Sequence, residues 1–367
     1  MPVDNTITPK DCVSRLVPYS PGKPIAEVQR EYGLTDIDKM ASNENPLGPS
    51  PRAIAAITKA VGAIHHYPDA TSHDLRHALA EKKGLPVESV IVGNGGDELI
   101  QLLGITFLRP GDRMIMSLPS FVRYEAAGIL NEAEVVKVPV RDFKEDLDAV
   151  ADRINDRTRI VFVNNPNNPT GTINTRDAVT RLLDRTPPGT LVMLDEAYAE
   201  FVEDPDYPNS VDYVKEGRNV IVLHTFSKIY GLAGVRLGYC LARPDIIDNM
   251  NRVREPFNVN VLAQVAGIAA LDDDDHVRNT LKVNSEGKRY LEREFERLGL
   301  PYAKAEANFI LVDVLRECRP VYEGLLRKGV IVRTGDIFGM PTCLRVSIGT
   351  PPMNERFIRE LEAILKG

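Results

Sequence analysis

The sequence predicts an α/β protein, with a large domain built on a mostly parallel seven-stranded sheet and a smaller α+β domain after it. Two patterns carry this. Short runs rich in Val and Ile, apolar on both faces, recur through the middle of the chain, as in strands covered by helices on both sides. Between them lie segments with apolar residues three to four apart, such as GDELIQLLGITFL and LDAVADRIN, the rhythm of amphipathic helices. Strands alternating with helices in this way build a parallel sheet.

Taken in order, the N-terminal arm (1–41) contains YSPGKP and a helical IAEVQREYG, and is expected to pack on the smaller domain. SNENPLGPSP (42–51) then punctuates the chain heavily and opens the large domain, 42–255. Its strands are expected at 89–93 (SVIVG), 113–117 (RMIMS), 134–138 (EVVKV), 159–164 (RIVFVN), 190–195 (TLVMLD), 219–223 (NVIVL) and 237–242 (LGYCLA). The C-terminal domain, 256–367, reads differently. A long amphipathic segment near 276–298 leads into NFILVDV, VIVRTG and CLRVSIG, and the helix NERFIRELEAILK closes it.

Composition narrows the function. The 367 residues are 43% hydrophobic and 26% charged, with a formal net charge of −7. That balance suits a globular protein and gives no support to a nucleic-acid or membrane-surface role. The opening segment has no apolar core of signal-peptide type, and no apolar run approaches a membrane span. The four cysteines are far apart and form no CxxC pair, which argues for free thiols in a reducing compartment, and the expected location is the cytoplasm. No metal is expected. The carboxylates of LDDDDH point in different directions on a helix or turn and read as a solvated N-terminal cap. Adjacent His65 and His66 lack a matching ligand set.

Four motifs carry chemistry, each after an apolar strand, where α/β folds place their ligands. In VGNGGDELI (92–100), glycines precede a helix N-terminus, an arrangement that favours an anion. Glu98 stands where a dinucleotide fingerprint needs its third glycine, so a single phosphate group fits better. VNNPNNPTG (163–171) is a stiff loop that presents an Asn amide with little entropy left to lose. In VMLDEAYAEF (192–201), Asp195 ends an apolar strand, and a carboxylate buried there needs a partner, expected to be cationic. Tyr198 follows three residues on. In VIVLHTFSKIYGLAGVRLGY (220–239), Lys228 sits beyond a strand beside glycines, where desolvation lowers its pKa and makes it a nucleophile toward carbonyls. Thr225, Ser227 and Arg236 add donors suited to phosphate. Lysine, aspartate, ring-hydroxyl donors and a phosphate cradle together match one cofactor, pyridoxal 5'-phosphate.

The chain resembles the fold-type-I pyridoxal-phosphate aminotransferases, most closely their histidinol-phosphate branch. The resemblance runs from YSPGKP through ASNENPLG, YPD, GNGGDE, NNPNNPTG, DEAY, TFSKIYGLAGVRLGY, REPFNVN and ANFILV to LRVSIGT. It implies that Lys228 carries the cofactor as a Schiff base and that Asp195 pairs with the pyridine nitrogen. Tyr198 and Asn168 would hydrogen-bond the ring hydroxyl, and Phe121 would stack on the ring. Gly95, Gly96 and Asp97 would open the phosphate-binding helix, with Thr225, Ser227 and Arg236 completing the cradle. Tyr67 would reach the phosphate of the other subunit in a homodimer. Arg345 would bind the substrate carboxylate, with Arg333 and Tyr19 near its distal end or phosphate.

The implied reaction moves an amino group between L-histidinol phosphate and 2-oxoglutarate, giving imidazole-acetol phosphate and glutamate. Three alternatives stay open at this point: an aromatic (Phe/Tyr) aminotransferase with 2-oxoglutarate, a phospho-amino-acid decarboxylase, and a cofactor-binding regulator without catalysis. The partners expected are small molecules and a second copy of the chain, with no nucleic acid and no membrane.

Overall fold

The computed structural model describes residues 7–18 and 22–367; Tyr19 lies outside them. All seven expected strands of the large sheet are present. They are β2 (Val90–Gly93), β3 (Arg113–Leu118), β4 (Glu134–Pro139), β5 (Thr158–Asn164), β6 (Leu191–Asp195), β7 (Val220–Thr225) and β8 (Gly238–Ala242), numbered after a short β1 (Asp38–Lys39). Their spatial order is β2-β8-β7-β6-β5-β3-β4. Only β8 runs antiparallel to its neighbours.

Alternation along each strand divides the apolar side chains between two layers. On β6 and β7, Val192, Leu194, Val220 and Val222 enter one core. Leu191, Met193, Ile221 and Leu223 enter the other. The first layer is closed by α2 (Pro51–Ala60), α3 (His73–Lys83), α6 (Leu147–Ala151), α7 (Arg176–Arg185), α8 (Ser210–Lys215) and α10 (Val261–Leu271). The second is closed by α4 (Gly96–Phe107), α5 (Val122–Leu130) and α9 (Pro244–Val253). Each fully buried aliphatic side chain contributes roughly 1.5–3 kcal/mol, which explains why strands apolar on both faces are the strongest signal in this sequence.

The second unit is a three-stranded antiparallel sheet, ordered β11-β12-β9, built from β9 (Phe309–Asp313), β11 (Arg333–Thr334) and β12 (Cys343–Ser347). Its core gathers Leu291 and Phe295 of α11 (Asp274–Leu298), Val321 and Leu325 of α12 (Cys318–Arg327), and Phe357 and Leu361 of α13 (Pro351–Lys366). The N-terminal helix α1 (Ile25–Tyr32) packs Val28 against Leu326 and Ile331, and β1 pairs with β10 (Val330–Ile331). Asp11–Arg15 instead packs on α5 of the large sheet.

Two expectations change. Residues 261–271 were assigned with the C-terminal domain, yet α10 buries Ala263, Ala266 and Ala270 in the large core against α2 and α3. Asp273 does cap α11, accepting from the His276 amide, but it is only 5% exposed and also accepts from Ser50 Oγ at 2.6 Å. The cap is therefore buried between α2 and α11, and not solvated: an N-terminal carboxylate with enough donors needs no water.

Candidate active site

The carboxyl ends of β5, β6 and β7 open into a cavity of about 290 Å³, closed on its far side by β11, β12 and the segment Ala41–Glu44. Thr225 and Asp195 end their strands there, because the polar residue at a strand end escapes the two apolar layers. Asp195 is 3% exposed. Its Oδ2 accepts from Tyr124 Oη at 2.5 Å and its Oδ1 from the Ala197 amide at 3.1 Å. Burial pushes its carboxyl up to about 6, against the lowering effect of the Tyr124 hydroxyl. The partner in place is thus a phenol, and the cation expected from sequence is missing from its hydrogen bonds. One face of a dry carboxylate is left for a positively charged group to meet.

Lys228 follows β7 on a turn. Its Nζ donates to the Ser42 carbonyl at 3.0 Å and lies 5.6 Å from the Tyr198 ring centroid. Burial, then the nearby Arg345 charge, lowers its pKa to about 8. At neutral pH a useful fraction is the free amine, the nucleophilic and basic form. The sequence reading of a desolvated lysine therefore agrees with its surroundings.

The helix α4 begins at Gly96, leaving the first amide N–H groups without intrahelical partners. Gly95 has φ 79°, and a Cβ there would lie 2.6 Å from Arg236 Nη2, so only glycine lets the guanidinium lie against the helix start. Arg236 is itself left-handed, at φ 60°, and its Nη2 lies 3.4 Å from Asp97 Oδ2. Thr225 and Ser227 line the same end, with Thr225 Oγ1 accepting from the Ser227 amide at 3.0 Å. Free amides, hydroxyls and a guanidinium on one concave spot fit a phosphate monoester. Glu98, which breaks the dinucleotide pattern, accepts from the Asn94 amide at 2.5 Å and from Asn258 Nδ2 at 2.8 Å. It braces the loop from behind.

Asn168 and Arg345 meet across the two units: Arg345 Nη1 donates to Asn168 Oδ1 at 2.5 Å and Nη2 to the Ala41 carbonyl at 2.7 Å. The Arg345 guanidinium also lies 5.4 Å from the Phe309 ring and 5.7 Å from the Phe338 ring. Arg333 is directly opposite Arg345 in the β11–β12 register, so both side chains leave the same face. Phe121 caps α5 and meets Tyr124 edge-to-face at 5.7 Å. Every described residue named in advance lines this cavity except Gly95, which lies behind Arg236, and Tyr67. Tyr67 is 83% exposed and stacks on Phe257 at 4.6 Å, outside its own chain's cavity.

Three contributors escaped the sequence reading. Tyr124 holds Asp195 and stacks on Phe162 at 4.5 Å; it sits three residues after Phe121 in PSFVRY, one helical turn away. Asn43 donates to Tyr198 Oη at 3.0 Å and, at φ 54°, receives Ser347 and Asn308 from the second unit. Asn164 orders the floor: its Oδ1 accepts from the Asn168 amide at 2.8 Å, and its own amide donates to buried Glu145 at 3.1 Å.

A lysine amine, a buried carboxylate and an anion cradle at the strand ends of the α/β sheet, faced by two guanidiniums of the second sheet, define a group-transfer enzyme built for a phosphorylated aldehyde cofactor. The chain belongs to the aminotransferase class I and II family, whose sequence model matches residues 35–361. It is 55% identical to the histidinol-phosphate aminotransferase of Moorella thermoacetica over 97% of this chain and 92% of that protein. It is 47% identical to the histidinol-phosphate aminotransferase of Symbiobacterium thermophilum over 97% of this chain and 98% of that one. Among solved structures, it matches histidinol-phosphate aminotransferase from Sinorhizobium meliloti in complex with pyridoxal-5'-phosphate, with a TM-score of 0.90, 26% identity and 97% of each chain covered. Among the described residues, no helix is long and apolar enough to cross a membrane and no cluster of metal-ligating side chains occurs.

Proposed function

We propose that this protein transfers an amino group between L-histidinol phosphate and 2-oxoglutarate, giving imidazole-acetol phosphate and glutamate, with pyridoxal 5'-phosphate as cofactor. The observation that carries the reading is the confrontation, across one cavity, of a desolvated lysine amine with two guanidiniums on adjacent strands. The 55% identity to a histidinol-phosphate aminotransferase supports the substrate. When bound, the cofactor supplies an aldehyde that accepts the amino group and a pyridine ring that withdraws electrons from the substrate carbon.

The residues divide that work. Lys228 Nζ would hold the cofactor's aldehyde and would take and return the proton at the reacting carbon of the substrate; a pKa of about 8 suits proton transfer near neutrality. Asp195 would meet the ring nitrogen and keep it protonated. Tyr198 and Asn168 would orient the ring hydroxyl, and Phe121 would cover the ring face. The amides of Gly96 and Asp97, the hydroxyls of Thr225 and Ser227, and Arg236 would hold the phosphate, with Gly95 giving them room. Arg345 receives the carboxylate of glutamate or the phosphate of histidinol phosphate, and Arg333 opposite it stabilises the same anions. The Arg345 guanidinium, held by Asn168, Ala41 and contacts with the Phe309 and Phe338 rings, loses little entropy on binding an anion.

The stacked Tyr67–Phe257 pair, exposed beside Ile64 and Val61, suits burial against a second copy of the chain, where Tyr67 reaches the partner's cofactor phosphate. A homodimer acting on small molecules in the cytoplasm is the corresponding proposal for assembly and location. The domain division we propose is an arm to residue 41, a large cofactor-binding unit, and a smaller C-terminal unit supplying the arginines.

The test is a half-reaction on cofactor-loaded protein, following the visible cofactor band. Rapid bleaching by histidinol phosphate and by glutamate, with slow bleaching by phenylalanine and tyrosine, is the expected result. Faster bleaching by the aromatic amino acids would replace histidinol phosphate with an aromatic substrate.

A further inference from the structure

A second cavity of about 400 Å³ continues from the first, sharing Phe121, Asn168, Arg333 and Arg345 at its mouth. Its far walls are apolar: Val122, Ala126 and Ile129 on α5, and Leu16 to Pro18 of the arm that packs against that helix. Only one carboxylate lines it, that of Glu125, and Arg15 supplies the one guanidinium beyond the two at the mouth. Arg15 is exposed, and Glu125 is half-buried with its Oε1 2.8 Å from Lys137 Nζ of β4.

A substrate whose amino-bearing carbon lies beside Lys228 and whose anionic group lies at Arg345 has this adjoining space open to its remaining substituent. The chemistry there suits one kind of ring. A neutral imidazole presents one N–H donor and one nitrogen acceptor on an otherwise flat apolar body. A carboxylate accepts from the first and a guanidinium donates to the second, while aliphatic walls cover the ring faces. A phenyl ring of similar size offers neither bond, so the carboxylate and the guanidinium keep their water and ion-pair partners and add nothing to its binding. We propose that Glu125, with Arg15 of the same cavity, reads the imidazole ring of the substrate and sets the preference for it over aromatic amino acids. The assignment rests on the histidinol-phosphate reading given above and adds the residues that enforce it.

The experiment compares kcat and KM for histidinol phosphate, phenylalanine and glutamate in wild type, Glu125→Gln and Lys137→Gln. Glu125→Gln keeps the shape and removes the charged acceptor. It raises KM for histidinol phosphate about tenfold, the size of one lost hydrogen bond to a charged group. It leaves glutamate and phenylalanine within about twofold, so the preference for the imidazole substrate falls. Lys137→Gln, which breaks the surface pair and keeps the carboxylate, leaves all three unchanged. Equal losses for every substrate, an unchanged histidinol-phosphate KM, or the same effect from Lys137→Gln would each overturn the assignment to Glu125. A wild-type protein that ignores histidinol phosphate and uses phenylalanine overturns the substrate reading itself. Wild-type activity on histidinol phosphate with an indifferent Glu125→Gln variant overturns only the role of Glu125.

Discussion

The ends of β6 and β7 bury ionisable side chains on both faces of the sheet, and the two faces differ in what they do with them. On the cavity side stand Asp195 and Thr225; the next and previous residues, Glu196 and His224, lie behind. Burial is nearly the same, at 3% for Asp195, 4% for Glu196 and 3% for His224. Burial pushes Glu196 up to about 8, despite the Ser210 hydroxyl bonded to it, and pushes His224 well below its ordinary value. Both are therefore neutral at pH 7, with His224 stacked on Tyr239 at 5.0 Å. Asp195, held near 6 by the Tyr124 hydroxyl and an amide, stays ionised. Equal burial thus yields a silent structural layer on one side and a poised charge on the other, and the difference comes from the donors that reach each carboxylate.

The comparison breaks most visibly at Asp195. Asp195→Asn keeps the shape and deletes the charge, and kcat should fall by about 10²–10³-fold, the range for losing one preorganised electrostatic group. Tyr124→Phe should act in the same direction and more weakly. Ionised Asp195 exists above its pKa of about 6, and the lost hydroxyl had been lowering that value. Cofactor affinity followed against pH should therefore fall off about one pH unit higher than in wild type. If Asp195→Asn turns over normally, the two faces are not different in function.

On the silent side the smallest effect is expected, and it is in stability. The folded-state pKa of Glu196 lies above the ordinary carboxylate value, so the native state holds a proton that the unfolded chain releases. Its contribution is fully present below about pH 4.5 and is lost as pH rises through about 8. Glu196→Gln, a permanently neutral mimic, should leave turnover within about twofold and flatten the decline in Tm between pH 5 and 9. A steeper decline in the variant would show that Glu196 is ionised and paired.

Much of this was readable in the chain because the strongest physical signal is also the most local. Strands apolar on both faces declare themselves over five or six residues, and Asp195 and Lys228 stand out as polar residues following such runs. The reversed direction of β8 was not readable, since a buried strand has the same pattern either way up. Tyr124 and Asn43 were missed because their partners are 71 and 155 residues distant, and nothing in their neighbourhoods announces a pairing made only by the fold. The placing of α10 failed for a related reason. Its alanine-rich sequence packs equally well on any apolar surface, and the fold delivers it to α2 and α3. Asp273 showed the converse: a charge run that reads as solvated supplies one member to a buried cap.

The most direct measurement loads the protein with pyridoxal phosphate, reduces it with borohydride, digests it and maps the cofactor mass by tandem spectrometry. The account predicts one stoichiometric pyridoxyl adduct on Lys228, absent from Lys228→Ala. An adduct on another lysine with Lys228 unmodified would contradict it.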